Sequence, residues 1–170
     1  MENELGNEIR IEPISEEYIE NFHRCLDSVA RERKHLAFLE APPLDSTRDF
    51  VISNITKNVP QFIAIKGNDV IGWCDILPEQ MEGFRHNGTL GMGVLKEYRQ
   101  LGIGKKLAER TINKAKQQNI LRIELDVLAS NLPAIGLYEK LGFQVECIKK
   151  NARIIDGVFD DLIQMVLFIN

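Results

Sequence analysis

The chain has 170 residues, 44% hydrophobic and 27% charged, with a formal net charge of -4. That length supports one domain over residues 1–170, with a sizeable core, and the composition favours neither a disordered nor a membrane class. The acidic balance argues against non-specific nucleic-acid binding, which needs a basic face. Cys25, Cys74 and Cys147 are far apart and form no C-x-x-C pair; each reads as a small buried hydrophobe in a reducing compartment. No Cys/His cluster has metal-ligand spacing, so no metal is expected. Met1–Ile11 is acidic and lacks the apolar run of a signal peptide, and no stretch reaches the ~18 apolar residues of a membrane span. The expected location is the cytoplasm, with no membrane partner.

In chain order, Ile9, Ile11 and Pro13 open a short extended segment. Ser15 offers an N-cap, and Tyr18, Ile19, Phe22, Leu26, Val29 and Ala30 keep helical spacing. The run Arg31-Glu32-Arg33-Lys34 reads as solvated helix surface, and Arg31–Leu44 as a loop or broken helix ending in Pro42-Pro43. Ser46-Thr47-Arg48-Asp49 fits a capping box, with Phe50, Val51 and Ile55 following on one helical side. The period then changes. Phe62–Ile65, a Gly67-Asn68-Asp69 turn and Val70–Ile76 predict a β-hairpin, with Phe62 and Trp73 in the core. Residues 78–88 read as a polar loop in which His86 is a surface residue within possible reach of a substrate. Thr89–Leu95 is a third strand, and Leu107, Thr111, Ile112 and Ala115 mark the apolar side of a helix over Gly104–Gln118. Leu121, Ile123, Leu125 and Val127 alternate with Arg122, Glu124 and Asp126, a period of two. A helix over Asn131–Leu141 has Pro133 in its first turn and Gly142 as its cap. Strands over Phe143–Ile148 and Leu162–Ile169 follow, separated by a turn at Asp156-Gly157.

Two patterns carry chemistry. Arg99-Gln100-Leu101-Gly102-Ile103-Gly104 reads R-x-x-G-x-G between a strand and an amphipathic helix. Glycines let the chain turn tightly and let a ligand approach the backbone. The first N–H groups of a helix lack internal partners and carry partial positive charge, which suits a pyrophosphate. Arg99, Lys105 and Lys106 add cationic charge. The spacing fits neither a P-loop nor a Rossmann fingerprint. Downstream, Asn131–Phe143 reads N-x-x-A-x-x-x-Y-x-x-x-G-F, directly after the alternating strand.

In that order, the two patterns resemble the cofactor motifs of the GNAT superfamily, the acyl-CoA-dependent N-acetyltransferases. The resemblance covers Thr89–Val145 closely. It implies an α/β (α+β) fold: a mixed, mostly antiparallel central sheet with helices on both faces and splayed central strands. It implies acetyl-CoA as co-substrate, its pyrophosphate held by amides of Arg99, Gln100, Leu101, Gly102, Ile103, Gly104 and Lys105. Met92 and Val94 match the strand positions that pair with pantetheine, Asn131 a cofactor contact, and Tyr138 the acid that protonates the leaving thiolate. A homodimer is implied by the same analogy. The strand before the loop, Thr89–Val94, carries no carboxylate, and Lys96 stands where a proline is frequent. The general base is therefore Asp75, Asp126 or water.

The expected reaction is direct attack of a primary amine on acetyl-CoA. Asp156–Asp161 resembles members that take small-molecule amines or amino acids. Acetylation of a protein N-terminus or lysine, and a non-catalytic acyl-CoA sensor, are the alternatives. Residues 31–44 and 78–87 are expected to shape the amine pocket.

Overall fold

A computed structural model describes residues 8–170. The reading of Met1–Ile11 as no signal peptide falls largely outside them. The elements are β1 (Ile9–Pro13), α1 (Ile19–Arg31), α2 (Leu44–Thr56), β2 (Gln61–Lys66), β3 (Asp69–Pro78), β4 (Asn87–Val94), α3 (Ile103–Gln117), β5 (Arg122–Leu128), α4 (Leu132–Lys140), β6 (Gln144–Ile155) and β7 (Val158–Phe168). The seven strands form one sheet in the order β1-β2-β3-β4-β5-β7-β6. Every neighbouring pair is antiparallel except β4–β5. No helix among the described residues is long and apolar enough to cross a membrane.

Alternation along the strands sorts side chains to two cores. Ile63, Ile65 and Trp73 pack under α1 and α2 with Ile19, Phe22, Val29 and Val51. Ala64, Cys74, Ile76, Leu125 and Met165 face Leu107 and Ala108 of α3 and Tyr138 of α4. Helices therefore cover both faces, as the sequence predicts. Phe22 meets Trp73 edge-on with ring centroids 5.9 Å apart.

The β4–β5 contact positions the site. The strands pair at Asn87↔Arg122, Gly88↔Ile123 and Thr89↔Glu124, and there the ladder stops. β4 continues to Val94 against β3 alone, while β5 continues to Leu128 against β7. The two strands splay, and the gap opens between Leu90–Val94 and the second half of β5.

Several local expectations are corrected. Helix α2 begins at Leu44, not at the Ser46 capping box; Pro43 presets the entry, and its carbonyl accepts the Thr47 N–H at 3.1 Å. The buried stripe of α2 is Thr47, Val51 and Asn54, so Phe50 and Ile55 are exposed. Ser15 precedes a short 3-10 turn and makes no cap; its hydroxyl donates to Glu17 Oε1 at 3.2 Å. Cys25 and Cys74 are buried, but Cys147 is exposed, because β6 is an edge strand with no layer over it. Strands β6 and β7 also run much closer to the Asp156-Gly157 turn than alternation suggested, since β-hairpin pairing persists where neither face is covered.

Candidate active site

The glycine loop stands at the open end of the splay. A 3-10 turn at Lys96–Tyr98 leads out of β4, and the chain enters α3 through two left-handed residues, Gln100 at φ 62° and Gly102 at φ 78°. Only at Gly102 does a glycine suit the conformation, and a Cβ there would meet nothing within 4 Å. The surface above Gly102 is thus open to a ligand. No side chain caps α3. The helix's first backbone bond runs from Lys106 N–H to Gly102 O at 3.2 Å, so the N–H groups of Ile103, Gly104 and Lys105 reach no intrahelical acceptor. Gly104 has a different role: a Cβ there would lie 3.2 Å from Met92 Cε and 3.3 Å from Leu137 Cδ2. Its absence lets α3 start close to β4 and α4. These features fit an anionic ligand lying along the loop.

The cationic surroundings differ from the sequence reading. Lys105 and Lys106 are exposed beside the loop, but the Arg99 guanidinium is committed elsewhere. It donates to both carboxylate oxygens of Glu32, at 2.9 and 2.5 Å, and its Nε donates to Val94 O at 2.9 Å. Arg99 pairing holds the Glu32 carboxyl below the ordinary carboxylate range. The run 31–34 is accordingly not just solvated surface. Arg31 pairs with Asp27 at 2.7 Å, and Arg33 with Asp156 at 3.1 Å.

On the α3–α4 face, Met92 and Val94 are partly buried against the core. Asn131 caps α4, its Oδ1 accepting the Ala134 N–H at 3.3 Å. Tyr138 is 7% exposed and meets Phe143 edge-on at 5.8 Å. Burial raises the Tyr138 phenol well above its ordinary value, with Cys74 contributing. The hydroxyl therefore stays protonated and available as a donor across the working pH range.

On the α1–α2 face, β3 presents Asp75 between Gln61 of β2 and Gly91 of β4. Asp75 is 6% exposed, and burial pushes its carboxyl up to about 7. A Cβ on Gly91 would lie 3.4 Å from Asp75 Oδ1 and meet nothing else within 4 Å, so the glycine leaves space beside that oxygen. Gln61 accepts from Asn54 Nδ2 at 2.9 Å, while its own buried Nε2 has no protein partner. Asp126 contrasts with this. Its side chain is 45% exposed and lies 3.8 Å from Lys149 Nζ. His86 is exposed, and its backbone carbonyl accepts from Leu121 and Arg122.

The 78–87 segment supplies Glu79, Phe84 and Asn87 to a trough beside the splay; sequence reasoning missed the strand residues that join them. Glu79, Phe84, Asn87, Thr89, Arg122 and Glu124 line an open space of about 430 Å³. Thr89 and Glu124 are the last residues paired before the strands part. Arg122 is matched by Glu124 and Glu146, which leaves the trough acidic. The alternation of β5 placed Glu124 on one face, but only the fold brings Glu79 and Thr89 beside it.

Comparison with known proteins decides the family: the acetyltransferase (GNAT) family matches residues 17–143. The chain belongs to that family. An N-alpha-acetyltransferase of Saccharolobus solfataricus is 35% identical over 111 residues, which are 59% of this chain and 62% of that protein. The chain thus spans about three-fifths of that archaeal relative. The L-amino acid N-acetyltransferase AaaT of Escherichia coli is 29% identical over 108 residues, 63% of this chain and 67% of that one. Among solved structures, a GNAT superfamily phosphinothricin acetyltransferase from Sinorhizobium meliloti in complex with acetyl-CoA superposes with a TM-score of 0.88 at 14% identity, covering 95% of this chain and 89% of that one. The GNAT fold is therefore established here.

Proposed function

We propose that this GNAT protein transfers an acetyl group from acetyl-CoA to the α-amino group of a small molecule or amino acid. One observation carries the reading: β4 parts from β5 between unpaired helix N–H groups on one side and a buried carboxylate, Asp75, on the other. The acetyl-CoA complex of the Sinorhizobium meliloti protein supports the co-substrate.

The backbone N–H groups from Arg99 to Lys105 hold the pyrophosphate, with Lys105 and Lys106 supplying charge. Met92 and Val94 of β4 line the pantetheine arm, and Asn131 contacts it beside its capping role. Bound acetyl-CoA supplies an activated thioester carbonyl. Asp75 takes the proton that the amine sheds as its nitrogen bonds to the carbonyl carbon, reached across Gly91. Tyr138 donates its O–H to the sulfur that departs. With its raised phenol, Tyr138 works more as a hydrogen-bond donor to a thiolate than as a full proton donor.

The base favours the acceptor class. An α-amine has a pKa near ~8 and a lysine amine near ~10.4; a carboxylate at about 7 is far better matched to the first. The acidic trough beside the splay suits a cationic acceptor. A peptide N-terminus is the second reading, supported by the archaeal relative, an N-alpha-acetyltransferase. The test is release of free CoA thiol from acetyl-CoA across a panel of L-amino acids, short peptides with free N-termini, and Nα-blocked lysine. Turnover with α-amines and not with blocked lysine is expected. Turnover with blocked lysine alone contradicts the acceptor class, and no turnover with any amine leaves the acyl-CoA sensor as the better account.

A further inference from the structure

The arginine that opens the glycine loop has its Nε and both terminal nitrogens engaged within the protein. Its Nε is held by Val94 O at 2.9 Å, at the end of the splayed strand. Its two terminal nitrogens fork onto Glu32 at 2.9 and 2.5 Å, the bidentate geometry that makes arginine–carboxylate pairs strong and directional. His35 completes the cluster, with Nε2 3.3 Å from Arg99 Nη1. Burial and the Arg99 charge lower the His35 pKa, which keeps the ring neutral beside the guanidinium. The pair is partly buried, Arg99 at 29% and Glu32 at 21% side-chain exposure.

Glu32 stands where α1 ends and the chain turns away through Arg33 at φ 59°. The residues that follow reach the β6–β7 turn: Arg153 donates to the carbonyls of Arg33 and Lys34 at 3.0 and 3.3 Å, and Arg33 pairs with Asp156 at 3.1 Å. The segment from 32 to 40 is therefore fastened to the cofactor loop at one side and to the final hairpin at the other. Its anchors lie just past the end of β4 and at the β6–β7 turn.

We propose that Glu32 is a positioning residue for acetyl-CoA: by holding Arg99 it fixes the glycine loop, and through the same contact it couples cofactor binding to the segment 32–40 that borders the acceptor. This rests on the assignment of the loop to the pyrophosphate. The physical need is plain. A loop that keeps Gln100 in the left-handed region has lower-energy conformations to relax into, and amides aimed at a phosphate bind well only if held there beforehand. Arg99 is then a strut rather than a phosphate ligand.

The sign of one substitution separates the two roles. Glu32→Gln frees Arg99 and makes the loop's surroundings more positive. If Arg99 is a strut, acetyl-CoA affinity falls roughly tenfold, the scale of a charge-assisted hydrogen bond. If Arg99 is a phosphate ligand that Glu32 restrains, affinity holds or rises and its salt dependence steepens; that result overturns the proposal. Calorimetry with acetyl-CoA should be run on wild type, Glu32→Gln, Glu32→Asp, Arg99→Gln and the double variant Glu32→Gln/Arg99→Gln, each checked for folding by circular dichroism. Glu32→Asp should fall between wild type and Glu32→Gln. Once Arg99 is Gln, Glu32→Gln should cost little further affinity, since both changes break one contact; a full additional loss contradicts the strut. Hydrogen exchange gives the coupling: acetyl-CoA should slow exchange over residues 32–40 in wild type and not in Glu32→Gln. Protection that is absent in wild type, or equal in both, removes the coupling. Failure of wild type to bind acetyl-CoA at all would instead sink the loop assignment beneath it.

Discussion

The two faces of the splay are built from different materials. On the α3–α4 face, the proposed recognition is mostly backbone: unpaired N–H groups at a helix start, a left-handed glycine, a stretch of β4 free of β5, and a close approach allowed by Gly104. On the α1–α2 face it is side chain: Asp75, Gln61, Thr89 and Glu124, drawn from four strands. Backbone recognition suits a ligand that never changes, because glycine spacing and helix geometry alone define it. Side-chain recognition can be altered one residue at a time without disturbing the sheet. The comparison explains how relatives that share this fold can carry different acceptors in their names.

Substitutions on each face sharpen that contrast. The largest effect is on stability and concerns Asp75. Its carboxyl titrates near 7 in the fold and near 3.8 when unfolded. The unfolded chain gives up its proton first as pH rises, so stability should fall between about pH 4 and 7, by up to about 4 kcal/mol, and then level off. Asp75→Asn should abolish that part of the slope, measured by urea unfolding at several pH values. An unchanged slope would mean that Asp75 is better solvated than its burial implies. Next comes Gly102→Asp, which combines an unfavourable left-handed backbone with a carboxylate at the proposed phosphate site. Acetyl-CoA affinity should drop by roughly a hundredfold, about 2.7 kcal/mol, in calorimetry. Equal affinity would remove the loop from the site.

Tyr138→Phe should act more mildly on binding and mainly on turnover. Single-turnover rates with a good acceptor should fall roughly ten- to a hundredfold, with cofactor affinity kept. A rate that does not change makes Tyr138 a packing residue of the α4 core. The smallest effect belongs to Asp126, on the open part of the same sheet face. Its exposed carboxylate has only a distant lysine for company, and Asp126→Asn should change kcat/KM by no more than about twofold. A large loss would shift the base from β3 to β5.

The same division decides how much was legible in the sequence. The glycine loop and the Asn131–Phe143 pattern are local, and local backbone chemistry shows in one short stretch. So did the hairpin at 62–76, because both its strands alternate against full cores. The acceptor side was less legible. Asp75 and Asp126 looked equivalent on paper, since a strand's period gives two faces without saying which one a helix covers. The fold buries one under α1 and α2 and leaves the other open. Arg99 was misread for a related reason: its partner Glu32 lies 67 positions away, beyond any spacing rule. The Ser46 capping box failed because Pro43 starts the helix earlier, a local signal outcompeted by its neighbour.

The most direct test joins both faces in one variant. Asp75→Asn should be titrated with acetyl-CoA and then mixed with a saturating α-amine over pH 5–9, following thiol release. The account predicts cofactor affinity within about twofold of wild type. It also predicts a rate lowered by roughly a hundredfold or more, and loss of the acidic limb near pH 7. A wild-type pH profile in Asp75→Asn, or a loss of cofactor affinity equal to the loss in rate, would contradict it.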